Sequence, residues 1–420
     1  MTSATATEPQ RSPGLLDRSD ERLDAQAGVG GAVRAFGRRV RAGDLGALPV
    51  VVGLVIICVV FEILNSVFLQ ADNLDNLLFD SCAVGTIALG IVCVLMLGEI
   101  DLSVGSVSGL SSALLGVLWI NEGWPWIVAV VVAAVAGVVI GAVYAVLYNR
   151  FGMPSFVATL AGLLAFLGLQ LNLLGKNGSI NLPYGSTLVN FGQNDYMPAG
   201  AAYVIAALPS AALVLSGLRT AARRRAAGLS ARSTALILTR AVALLIVLEA
   251  AVAYLNTSYG VPWLFGVFAL LVAVMNYALT RTKWGRSMAA VGGNREAARR
   301  AGINVKRIYL TAFVLCSFFA ALGGLFAAAR LGSSSQQAGT GDVNLNAIAA
   351  AVIGGTSLFG GRGSAYSALL GVLVIQSISN GLTLLDLSSS LRYMITGAVL
   401  AIAVIVDSLA RKSRTAHGAA

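Results

Sequence analysis

The chain has 420 residues, 57% of them hydrophobic and 11% charged, with a mean hydropathy of +0.80. A soluble domain carries about 25% charged residues, so this composition excludes an ordinary globular protein and points to a membrane protein. The formal charge of +10 is scattered over short stretches between apolar runs, which argues against nucleic-acid binding and suits an anionic inner leaflet.

In chain order, residues 1–44 mix acids, bases, Ser and Gly without the apolar core of a cleaved signal, and are expected to form a disordered basic cytoplasmic tail. A helix needs about 20 apolar residues to cross a bilayer core. Runs of that order predict spans at 47–68, 80–97, 104–120, 125–149, 154–175, 199–217, 241–258, 261–280, 309–329, 346–360, 364–385 and 390–409. The third and tenth are short and read as half-helices or re-entrant segments. The runs lack the alternation of a membrane barrel, so the expected fold class is an all-α polytopic bundle of about 10–12 transmembrane helices with broken or re-entrant segments. The membrane domain would occupy 45–410, with a cytoplasmic tail at 411–420.

Charge orients the bundle. With residue 1 inside and every segment crossing, 26 of the 29 Lys and Arg fall in inside loops, leaving Lys176, Arg330 and Arg392 outside. This asymmetry follows the positive-inside rule and places both termini in the cytoplasm, 281–308 inside, and 176–198 and 330–345 outside.

Several chemistries lack their residues. Cys58, Cys82, Cys93 and Cys316 all lie in apolar segments and read as buried small hydrophobes. The only histidine is His417, in the tail, which removes His-based catalysis and most His-containing metal sites. No phosphate loop occurs; the nearest look-alike, "LLGKNG" at 173–178, has Asn after its Lys. The chain is therefore expected to bind no cofactor and to hydrolyse no ATP itself.

Two stretches hold charge or capping residues where neither is expected by chance. "LMLGEIDLSVGSVSG" at 95–109 places Glu99 and Asp101 between apolar runs, where a charge must face protein, water or an interface. On a capping reading, Asp101 accepts from the amides of Ser103 and Val104 while Gly98, Gly105 and Gly109 permit close helix approach. On a functional reading, the stretch is a broken helix beside a translocation path, or a hinge near its gate. "GGNREAARRAGINVKR" at 292–307 reads as a helix of about seven residues, with Asn294 as N-cap, Glu296 in the first turn, Arg299 and Arg300 in the last, and Gly302 as a left-handed stop. So short a helix is marginal alone in water, so it docks on its own bundle, on the inner leaflet or on another protein.

"GEIDLSVGS" (98–106), "MPSFVATLAGLLAFLG" (153–168), "GRSMAAVGGNREAARRAGINV" (285–305), "ARLGSSSQQAGTG" (329–341) and "LNAIAAAVIGGTSLFGGRGS" (345–364) together resemble the permease subunits of bacterial ABC-type monosaccharide importers of the ribose/xylose group. The xylose type is most similar, because it shares a basic loop like "RRRAAGLSARSTA" (223–235) and additional spans before 285. The resemblance implies a multi-pass protein of the bacterial inner membrane and a homodimer of permease copies. It also implies an ABC ATPase with tandem nucleotide-binding domains that carries the ATP and Mg, and an extracytoplasmic sugar-binding protein. It lays the ATPase-coupling contact on Asn294, Glu296, Ala297, Arg299, Gly302, Ile303 and Asn304.

A gate or pathway is expected around Gly98, Glu99, Asp101, Ser103 and Gly105. "SALLGVL" occurs at both 112–118 and 367–373, and aligning the preceding segments pairs Gly98 with Gly354 and Asp101 with Ser357. If this marks two parallel halves, Gly354, Gly355 and Arg362 belong to a second inner break, where Arg362 would meet Glu99 or Asp101. Gln170, Asn172, Asn276, Gln376, Ser377 and Asn380 are the span residues able to bind sugar, although polar residues in membrane helices more often bond a neighbouring helix. An ion-coupled transporter would need relays beyond Glu62, Glu99, Asp101 and Glu249, and a membrane enzyme would need a clustered nucleophile and base.

Overall fold

The computed structural model describes residues 48–398 except 228, 230 and 389, together with 401 and 405. The two predicted tails, His417 and the end of the last predicted span lie outside the described residues. Nine helices among them are long and apolar enough to cross a membrane, and two shorter apolar helices accompany them. The chain divides into two compact units; of the described residues one holds Ala199–Ala253, and the other those of Gly46–Pro198 and Tyr254–Lys412.

The larger unit begins with α1 (Leu48–Leu64), α2 (Ala71–Leu95) and α3 (Val104–Gly116), the last continued by a π-helical turn at Val117–Asn121. Then come α4 (Trp126–Phe151), α5 (Ser155–Leu174), a three-residue strand β1 (Ser179–Asn181) and the short α6 (Thr187–Gln193). The smaller unit contributes a helical hairpin, α7 (Ala199–Ala226) and α8 (Thr234–Leu255). Its helices meet where Gly217 lies against Ile237. The chain continues through α9 (Trp263–Arg281), α10 (Lys283–Gly293), α11 (Arg295–Arg300) and α12 (Val305–Leu331). Strand β2 (Ser333–Ser335), α13 (Val343–Ile353) and α14 (Ala365–Leu384) complete it, and residues 390–398 are helical.

α12 is the centre of the larger unit, packed by α2, α3 and α4. Glycine makes the approach close enough: Gly90 of α2 lies against Cys316 and Phe319, Gly141 of α4 against Phe313, and Gly324 of α12 against Ser108 of α3. Lipid gives apolar helices no reason to associate, so backbone proximity of this kind supplies the packing energy. Around it Phe79, Phe268, Phe313, Ile91, Leu95 and Met288 are fully buried. At one end of the unit, β1 and β2 pair antiparallel with Ile180 opposite Ser334, tying the end of α5 to the end of α12. α10 and α11 lie at the opposite end.

The structure departs from the sequence expectation in several places. α2 starts nine residues before the predicted span, because Asp72, Asp75 and Asp80 are held by protein partners: Ser258 bonds Asp72, the Tyr259 amide bonds Asp75 at 3.3 Å, and Arg330 pairs with Asp80 at 2.8 Å. α7 runs past its apolar part through Arg223, Arg224 and Arg225. The tenth predicted span is an 11-residue helix preceded by irregular backbone. The third is an 18-residue helix when its π turn is included. "GSVSG" lies inside α3, so the break precedes it, at 96–103. The "SALLGVL" copies occupy unequal places: Ser367 is in the first turn of α14, whereas Ser112 lies more than two turns into α3.

Candidate functional site

Two interruptions of helical backbone lie side by side in the larger unit. The first, 96–103, joins α2 to α3. Gly98 has φ +76°, and the amides of Gly98 and Glu99 bond back to Leu95 and Val94 at 2.8 and 3.1 Å, a Schellman stop that only glycine enters cheaply. The second, 336–342, joins β2 to α13. Backbone groups freed from a helix inside a membrane protein must find partners, and here they do. The Leu102 amide donates to Thr159 Oγ1 of α5 at 3.1 Å, and its carbonyl accepts from the side-chain amide of Asn344 of α13. Gln170 Nε2 donates to the carbonyls of Ser335 at 3.0 Å and Ala338 at 2.9 Å. The second segment lies against the first turn of α3, where the Gly339 carbonyl sits on Gly105 and leaves no room for a Cβ.

The acids of the first break are handled differently. Asp101 is fully buried; its Oδ1 accepts from the amide and hydroxyl of Ser103 at 2.8 and 2.7 Å. The Val104 amide is not a partner, so only half of the expected cap forms. Ser103 is the N-cap residue of α3 without a side-chain bond of its own to the helix. Glu99 lies at the rim of a 370 Å³ cavity lined by Tyr148, Met153, Ser155, Phe156 and Arg295. Its Oε1 accepts from Tyr148 at 2.6 Å and its Oε2 from Ser155 at 2.5 Å.

At the same end, α13 stops at Gly355 with φ +105°, through bonds from the amides of Gly355 and Thr356 to Val352 and Ala351. The counterpart of Gly98 is thus Gly355, one residue beyond the aligned Gly354, which instead packs against the Ser367 carbonyl. The turn between α13 and α14 meets the first break through backbone: Gly361 N donates to Met96 O at 2.8 Å, with Gly292 of α10 pressed on the same carbonyl. Arg362 is exposed, and among the described residues the ion pairs are Arg299–Glu296, Arg300–Glu296 and Arg330–Asp80, so the anticipated pairing of Arg362 with Glu99 or Asp101 is not formed.

The polar span residues mostly serve packing. Asn380 and Asn73 exchange two amide bonds, at 2.8 and 2.9 Å, between α14 and α2. Gln170 is consumed by the backbone it supports. Ser377 is buried, Gln376 and Asn276 are half-buried, and Asn172 is exposed. Thr159 and Asn344, which hold the first break, were missed in the sequence; a hydroxyl one turn after Ser155 was the only signal.

α11 folds as its local signals dictate. Asn294 accepts from the Ala297 amide at 2.9 Å, and Glu296 pairs with Arg299 at 2.6 Å and Arg300 at 3.5 Å. Hydrogen bonding from Arg299 holds the Glu296 carboxyl below its ordinary range. Gly302, at φ +82°, ends the helix as the amides of Gly302 and Ile303 bond to Arg299 and Ala298. Asn304 then caps α12 through the Arg307 amide. One face is anchored by buried Ala298 and half-buried Ile303, while Glu296, Ala297, Arg299 and Arg300 face outward. The α11 helix is six residues long, with amphipathic α10 before it, which the sequence reading left without structure.

A multi-pass helical bundle with paired backbone breaks and an outward-facing capped helix is built as a membrane permease. Residues 73–404 match the family model described as branched-chain amino acid transport system / permease component, and the chain belongs to that family. It is 39% identical over 351 residues to the xylose transport system permease protein XylH of Escherichia coli K12, covering 83% of this chain and 88% of that one. The XylH protein of Haemophilus influenzae is 32% identical over 377 residues, 89% of this chain and 99% of its own. The ribose import permease protein RbsC of Bacillus subtilis is 32% identical over 365 residues, 87% and 94% respectively. No solved structure matches the chain.

Proposed function

We propose that this chain is the membrane-spanning subunit of an ATP-driven monosaccharide importer, with xylose or a similar pentose as cargo. The observation that carries the reading is its 39% identity to a xylose permease across most of both chains. The paired breaks at 96–103 and 336–342 are its gate, since backbone without helical bonds changes shape at less cost than a packed helix. α11 is the contact with a separate ATPase carrying ATP and Mg, and its outward-facing Glu296, Ala297 and Arg299 are the contacting residues. Two permease copies, an ATPase with tandem nucleotide-binding domains and an extracytoplasmic sugar-binding protein complete the importer. Both termini and α11 face the cytoplasm, as the distribution of Lys and Arg requires. ATP-driven closure of the ATPase would displace α11 and switch the gate between two states.

Similarity to a ribose permease favours ribose as the second candidate cargo. Proteoliposomes holding the chain with its ATPase and binding protein should accumulate radiolabelled xylose on ATP, with ribose competing more weakly. Accumulation driven by a proton or sodium gradient without ATP would overturn the importer reading.

A further inference from the structure

Arg295, the first residue of α11, turns back toward the bundle instead of outward with Arg299 and Arg300. Its Nη1 donates to the Tyr148 hydroxyl at 3.1 Å, and its guanidinium lies over the rings of Tyr148 and Tyr309, 5.6 and 5.2 Å from their centroids. Those rings are stacked at 4.5 Å and 18°, joining the end of α4 to the start of α12. The same Tyr148 hydroxyl donates to Glu99 at 2.6 Å. One hydroxyl therefore joins a cation of the capped helix to an anion of the first break, and the two charges make no ion pair of their own. Hydrogen bonds to charged groups are stronger than those between neutral ones, and the 2.6 Å bond to Glu99 is short, so the bridge ties the helix end to the break.

We propose that Tyr148 is a positioning residue that passes the displacement of α11, through Arg295, to Glu99 and so to the segment 96–103. This rests on α11 being the ATPase contact. From Glu99 the path is short, because the Leu102 peptide three residues on is held between Thr159 of α5 and Asn344, in the first turn of the helix that follows the second break. The ring stack fixes where the hydroxyl sits, and the hydroxyl carries the connection. Ser155, on the other oxygen of Glu99, anchors the acid to α5, so movement of Tyr148 turns the carboxylate about a fixed point.

The full complex in proteoliposomes tests this. Tyr148→Phe keeps the stack and removes only the bridging hydroxyl; ATP hydrolysis should persist while sugar moved per ATP falls about tenfold, the loss expected for a charge-assisted hydrogen bond. Arg295→Gln, at an exposed position, should give the same loss, and the double variant no more than either single one. Wild-type sugar per ATP in both single variants overturns the proposal. So do additive losses, or losses that track a lower melting temperature or dissociation of the complex, since those mark a merely structural residue. If the wild-type complex itself moves no sugar on ATP, the importer reading falls, and the relay with it.

Discussion

Asp101 and Glu99 stand two residues apart and meet opposite demands. Glu99 sits at a cavity rim and spends both oxygens on hydroxyl donors, whereas Asp101 is sealed from solvent and bonds through Oδ1 alone. Its Oδ2 is buried without a hydrogen-bond partner among the described residues, so the two Ser103 bonds are what offset the cost of burying it. Asp101→Asn keeps an oxygen for both Ser103 bonds and should melt in detergent close to the wild-type temperature with uptake retained. Asp101→Leu strands the Ser103 amide and should cost about 1–3 kcal/mol, seen as a lower melting temperature and lost uptake. Equal damage from Asn would show that the charge itself is required. The sequence revealed the need for a cap here and named the amides of Ser103 and Val104; only the Ser103 amide answers it, because the Ser103 backbone is already helical and the amide of Val104 turns into α3.

Among the elements, α11 was the most legible, since its caps are local: Asn294, Glu296 and Gly302 lie within nine residues of one another. Gly302 has open space where a side chain would stand, so Gly302→Val acts only through the left-handed backbone, at about 1–2 kcal/mol. The variant should insert normally yet lose co-purification with the ATPase, while Gly302→Asn, better suited to that backbone, should keep most of it. What could not be read were elements defined by distant partners. β1 and β2 are three residues each, too short for periodicity, and they pair across more than 150 residues. Gln170 and Asn380 looked available to a sugar because a span sequence records that a residue is polar and says nothing of which carbonyl or amide answers it. α10 was hidden by its interleaved Lys283, Arg286 and glycines, which resemble a loop until Met288 and Val291 are seen to face inward.

For the molecule as a whole, the places of the apolar helices were legible from hydropathy and their quality as crossings was not; nine among the described residues are long and apolar enough to span. α13 has 11 residues, about 16 Å of helix, roughly half of a bilayer core. The stretch 336–342 before it lacks the helical bonds that let backbone rest in hydrocarbon. Gln170→Leu removes the donor serving its carbonyls and should leave the other helices inserted while opening 336–342 to limited proteolysis; protection equal to wild type would show that Gln170 is dispensable. The same feature bears on biogenesis. A segment this short and this polar is not released sideways into lipid as it is synthesised; it has to be received by protein. Its receiver is Gln170, translated 165 to 168 residues ahead of the carbonyls it binds, so the seat for this stretch is built well before the stretch leaves the ribosome.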